Sequence, residues 1–184
     1  MRIKTALASG EYASLERPLA IAAYAAAALA VNVGESFLVL PVPVLRVGLA
    51  NAFVILALWR WGPAAALGVT VTKVCGAALV LGTLASPVFG LNAGGALASW
   101  AVLTAAYFLS RRDYRVVVVA SAAAGCAHAA WQLCFIRWLT GTPWAFTLGG
   151  PLLVWGLATG IVVGVVARNL QHIESGGGYA VCGG

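Results

Sequence analysis

The chain has 184 residues, of which 62% are hydrophobic and only 9% charged, with a mean hydropathy of +0.95. That lies far from the roughly even apolar content and quarter-charged composition of soluble domains and predicts an integral membrane protein. The net charge of +6 does not point to nucleic acid, because the basic residues stand singly or in short groups between apolar runs.

The apolar runs reach the roughly 20 residues of a membrane-crossing helix and lack the alternation of a β-barrel strand, so the expected fold is an all-α bundle of six transmembrane helices. Residues 1–17 form a charged segment without a cleavable signal, expected in the cytoplasm. Residues 18–168 form the membrane domain, and 169–184 a flexible Gly-rich tail without assigned structure.

The first run, 18–34, extends to about Leu40, opens on Pro18, which suits a helix start, and ends at Pro41 and Pro43. The second, 47–61, is short for a crossing and stops at the WGP turn. The third runs from Pro63 to Leu84 and the fourth over 92–110, closed by the basic cluster SRRDYR. The fifth covers 116–137 and the sixth 147–167.

Six crossings put both termini on one side. The positive-inside rule makes that side cytoplasmic, with Arg2, Lys4, Arg17, Arg60, Arg111, Arg112, Arg115 and Arg168 inside and only Arg46 and Arg137 outside. The expected location is therefore the cytoplasmic membrane, with membrane lipid as surroundings.

Charge within the apolar runs is costly and is ordinarily paired, turned inward or part of a substrate route. Glu35 and Arg46 flank the Pro-containing loop at the outer boundary. They are read either as an interfacial ion pair or as two groups aimed at one ligand. Lys73 lies about 15 Å from either end of its helix by helical rise. It needs a carboxylate, carbonyls, water or an anionic ligand, and Glu35 is its expected carboxylate partner.

His128 and Gln132 are four residues apart and share a helix face with Gly125, either for an interhelical hydrogen bond or for ligand contact. Asn51 and Asn92 stand near helix starts, where capping competes with binding. Trp131, Trp138 and Trp144 read as interfacial anchors. Ala22, Ala26 and Ala30, at spacing four, form a smooth ridge that suits either a partner helix or packing inside the bundle. The cysteines, Cys75, Cys126, Cys134 and Cys182, have no CxxC spacing, so neither a disulfide framework nor a metal site is expected.

The segments ESFLVLPVPVLRVGLAN (35–51), WGPAAALGVTVTKVCGAALVLGTL around Lys73, FGLNAGGALAS (89–99) and AGCAHAAWQL (124–133) resemble, in order, the Gx transporter family. Its members often carry the name heptaprenyl diphosphate synthase component I, and it is similar to the substrate-binding S components of energy-coupling factor (ECF) transporters. On that resemblance Glu35, Arg46, Gly48, Leu49, Ala50 and Asn51 match the first motif, and Lys73 stands where a basic residue is usual. Gly94 and Gly95 match a Gly pair, and His128 and Gln132 match the helix-five motif. Ala129 replaces the family's usual Asn, and the tail from Gly176 has no counterpart.

The resemblance implies substrate capture from the outer side, a cap formed by the loop from Glu35 to Arg46, and a coupling subunit docked on Ala22, Ala26 and Ala30. The substrate-binding set is then Glu35, Arg46, Asn51, Lys73, Asn92, His128 and Gln132. The expected partners are a small molecule such as a cofactor precursor, a transmembrane coupling subunit and separate ATPases, since no P-loop occurs. Prenyl transfer through magnesium requires clustered carboxylates. With a single aspartate, Asp113, beside arginines, the chain is expected to be neither an enzyme nor a cofactor carrier. The alternatives are an accessory factor or enzyme of isoprenoid or quinone metabolism, with His128 as its intramembrane acid or base, and a structural subunit of a membrane complex.

Overall fold

In a computed structural model, the protein is described over residues 2–37, 47–141, 147 and 149–176, with the side chains of 2–14 and 174–176 left aside. The described residues form six α-helices: α1 (Arg2–Ser36), α2 (Asn51–Trp61), α3 (Pro63–Val80), α4 (Pro87–Leu109), α5 (Val117–Thr140) and α6 (Gly149–Gly176). A single 3-10 turn, Tyr114–Val116, precedes α5. Loop 38–46, with Pro41, Pro43 and Arg46, lies outside the described residues, as do Trp144 and Cys182.

Five helical stretches are long and apolar enough to cross a membrane: Leu15–Ser36, Pro63–Val80, Pro87–Leu109, Tyr114–Thr140 and Gly149–Ile173. Their outer faces carry apolar side chains such as Leu79, Val80, Leu109, Val119, Val154 and Val162, the pattern of helices facing lipid. This is a multi-pass membrane protein.

The second helix, α2, is not among these five, in keeping with the shortness of its run in the sequence. Its 11 residues rise only about 16 Å, about half the hydrocarbon thickness. Ala52, Val54, Ile55, Leu56, Ala57 and Leu58 are all buried, so the helix is apolar on every side because protein surrounds it. It packs against α1, α3, α4 and α6.

Two boundaries also differ. Pro18 does not start α1 but lies inside it, and the chain from Arg2 is already helical. At the other end, α6 is described as far as Gly176. Residues 169–173 therefore prolong the last helix, and Leu170 packs against the core.

Interhelical contacts fix the register. The Arg17 guanidinium donates to the Trp61 carbonyl at 3.1 Å, so α1 and α2 run antiparallel. The indole of Trp100 donates to Pro63 at 3.1 Å, the Ser99 hydroxyl to Ala124 at 2.9 Å, and the Tyr114 hydroxyl to Ala167 at 3.0 Å. Trp59 meets Tyr107 and Tyr114 edge-on, each at 5.7 Å between centroids, and Tyr24 meets Trp61 at 5.0 Å. These contacts gather Arg17, Arg60, Arg111, Arg112, Arg115 and Arg168 at one end of the bundle, at which the N-terminal part of α1 and the C-terminal part of α6 extend past the other helices.

The α5–α6 seam is built on glycine. A Cβ on Gly125 would stand 2.0 Å from the Gly156 carbonyl oxygen, and one on Gly160 2.5 Å from the Ser121 oxygen. Such close backbone approach supplies van der Waals contact where lipid leaves little hydrophobic drive. Gly125→Ala is expected to lower stability by about 3 kcal/mol, because backbone cannot yield as a side chain can. Gly68→Ala, whose Cβ would meet nothing within 4 Å, should be neutral or gain up to about 1 kcal/mol from helix propensity. Reversible unfolding in mixed micelles compares the two.

Candidate functional site

At the end opposite the arginines, the sequence GLAN becomes a hydrogen-bonded knot. Gly48 adopts a left-handed φ of 76°, a conformation that other residues reach only at a cost. The turn aims the next N–H, that of Leu49, at the Glu35 carboxylate, with Oε1 at 2.7 Å. Ala50 is 1% exposed and lines the cavity. Asn51 then opens α2 without capping it, because its side-chain oxygen accepts from the Lys73 ammonium.

Lys73 is accordingly met first by a neutral carbonyl and not by a direct carboxylate bridge, while the Glu35 charge attracts it electrostatically. Both side chains are buried, at 5% and 6% exposure. Asn32 fixes the neighbouring backbone by donating to the Lys73 carbonyl at 3.1 Å. One buried cation is thus tied to α1, α2 and the turn between residues 47 and 50.

The second half of the site comes from α4 and α5. Gly94 and Gly95 lie where side chains would strike Trp131 and His128: a Cβ would fall 2.0 Å and 2.7 Å from the respective rings. The missing side chains let both rings lie against α4, and Trp131 donates from its indole to the Gly90 carbonyl at 3.2 Å. Trp131 therefore joins helices as well as facing outward, whereas Trp138 is 76% exposed in keeping with an anchor.

The two halves face one cavity of about 110 Å³. Glu35, Asn51, Lys73, Asn92, His128 and Gln132 all line it. Of the sequence-derived set only Arg46 is not placed, being outside the described residues. Asn92 sits at the sixth position of α4, too far inside the helix to cap it. Ser121, Trp155 and Thr159 also line the cavity and did not stand out in the sequence. Ser121, Gly125 and Gln132 share one helix face at successive spacings of four and seven, a signal present in the sequence. Trp155 and Thr159 enter only through the α5–α6 register.

Ala22, Ala26 and Ala30 are exposed on α1, while Ala25 and Ala28 turn inward against the core. The ridge is not consumed by packing within the described bundle.

The model of the heptaprenyl diphosphate synthase component I family matches residues 24–170, most of the chain. The chain belongs to that family. The match runs from within α1 to just past the Tyr114 contact at Ala167 on α6, so it contains every residue placed around the cavity. No curated protein and no solved structure matches the chain.

Breaking one member of a buried charge pair leaves the other uncompensated, at about 3–5 kcal/mol, whereas removing both costs less than the sum. Lys73→Met and Glu35→Gln should each destabilise the detergent-solubilised protein on that scale. The double variant should recover part of the loss in a double-mutant cycle of unfolding free energies.

Proposed function

We propose that this family member is a membrane-embedded substrate-binding subunit, similar to the S components of ECF transporters, that captures a small cofactor precursor or vitamin-like molecule. The observation that carries the reading is convergence: buried polar groups from α1, α3, α4 and α5 and the half-buried Asn51 of α2 border one cavity inside an otherwise apolar bundle. Polar groups so costly to place in a membrane are best explained by a ligand they meet.

The arginine end is assigned to the cytoplasm by the positive-inside rule, which sets the cavity toward the outer face of the cytoplasmic membrane. Loop 38–46 connects two lining elements and is the proposed cap, with Arg46 as a ligand contact. The exposed ridge of Ala22, Ala26 and Ala30 would admit a helix of a transmembrane coupling subunit at close range, and separate ATPases would drive release.

The family's description favours a second reading, an accessory component of a prenyl diphosphate synthase. Catalysis by this chain itself is poorly supported by its residues. Diphosphate held through magnesium draws on several carboxylate oxygens. The cavity offers one carboxylate, Glu35, already engaged by Leu49, and Asp113 belongs to the arginine end, bonded to the Arg115 N–H at 2.9 Å. We therefore propose binding without chemistry.

Mass spectrometry of the purified protein should reveal a co-purifying small molecule that disappears in Lys73→Ala and Arg46→Ala. Ala26→Phe should retain the molecule yet lose uptake in cells supplied with the coupling subunits. Absence of any bound molecule, together with unchanged uptake in both binding variants, overturns capture. Recovery of a prenyl synthase with the chain would support the second reading.

A further inference from the structure

Resting on the capture reading, the lining also specifies what kind of molecule enters. Among the described residues, Lys73 and Glu35 are the only acidic or basic lining side chains other than His128. They have opposite signs and are mutually attracted. Each is engaged locally, Lys73 with Asn51 and Glu35 with Leu49. This pair leaves no surplus charge to attract an ionic ligand.

The polar capacity left over has a definite pattern. Ser99 spends its proton on Ala124, Thr159 on Trp155, and Asn51 its carbonyl on Lys73. Gln132, only 6% exposed, lines the cavity and makes no hydrogen bond among the described residues, and the same holds for Asn92. A buried amide is ordinarily satisfied, so Gln132 signals a partner that belongs in the cavity.

Asn92 and Gln132 lie at one depth on facing helices. The contacts Gly94 to Trp131 and Gly95 to His128 fix the antiparallel register of α4 and α5. In that register Asn92, one turn before Gly95, comes level with Gln132, one turn after His128. Each carboxamide offers one acceptor and two donors. An anion would satisfy only the donors and a cation only the acceptors. A molecule carrying C=O beside N–H satisfies both.

Size narrows the class further. The enclosed volume is about 110 Å³ in a pocket that is partly open, below the roughly 150 Å³ of a closed apolar cavity that holds benzene. It therefore limits the buried part of a ligand to about one ring and lets the rest extend outward. We propose that the cavity binds an uncharged, single-ring-sized molecule, or the ring-sized head of a longer one, through an amide, lactam or urea edge held between Asn92 and Gln132.

The test uses the full chain in detergent at pH 8, where an ordinary imidazole is uncharged. It is titrated with 2-pyridone, uracil and nicotinamide, and in parallel with N-methyl-2-pyridone, nicotinate and inorganic phosphate. At least one uncharged amide-edge probe should raise the thermal midpoint in a saturable way. The N-methylated and ionic counterparts should bind at least about tenfold more weakly, because they leave a buried group unpaired.

Gln132→Glu, close in shape but without the amide donors, should weaken the amide probe by at least about tenfold while retaining the helical circular dichroism of the parent. Asn92→Leu gives the same reading should the first variant not fold. Tighter binding of nicotinate or phosphate, lost in Lys73→Met or Arg46→Ala, overturns the uncharged amide edge and leaves capture standing. No saturable shift with any probe to millimolar concentration also overturns it, and co-purification then decides separately whether capture survives.

Discussion

A lysine in the middle of a membrane helix is the constraint around which this fold is arranged. An ammonium there must find polar company inside the protein, since lipid supplies none. Lys73 finds it in Asn51, with the Glu35 charge nearby. To deliver Asn51, the chain must bring a non-helical turn to membrane depth, and that turn is tolerated because its freed groups are used: Leu49 N–H by Glu35, and the Gly48 carbonyl by Asn51 N–H at 2.9 Å.

The same constraint accounts for the shortness of α2. A turn at Gly48 and Leu49 that joins Glu35 of α1 to Asn51 of α2 cannot face lipid, so it must be enclosed, and the helix that follows begins already inside the bundle. α2 then has only about half a membrane left to traverse and ends where Trp61 meets Arg17. Its neighbours α1, α3, α4 and α6 close around it. The cavity lies beside the start of α2, between α1 and α3 on one side and α4, α5 and α6 on the other.

Much of the site was legible because the cost of intramembrane polarity is independent of tertiary detail. Lys73, Glu35 and the pair His128 and Gln132 stand out against apolar neighbours, and all line one cavity. What was hidden depends on context. The apolar run 47–61 reads as short for a crossing, but composition does not tell a helix that crosses lipid from one sheathed by protein, as α2 is. Pro18 reads as a start although α1 accommodates it internally. The glycine row 156, 160 and 164 was visible as a spacing of four, but only the register shows it meeting α5. Lys73 pairing with the Asn51 carbonyl, ahead of a direct bridge to Glu35, depends on a turn geometry that composition does not encode.

The arrangement also separates two surfaces of α1. Its inward face carries Ala25, Ala28, Asn32 and Glu35 into the core and the cavity, while Ala22, Ala26 and Ala30 look outward. Both faces belong to one continuous helix, and Asn32 and Glu35 lie within two turns of Ala30. A partner helix seated on the alanines and a ligand touching the Lys73 network would therefore bear on the same rigid element. Any tilt of α1 imposed by the partner shifts Asn32 against the Lys73 backbone and Glu35 against the Leu49 N–H. On the proposed capture reading, the buried cation that organises the cavity would also be the point at which a force on the outward face of α1 reaches a ligand.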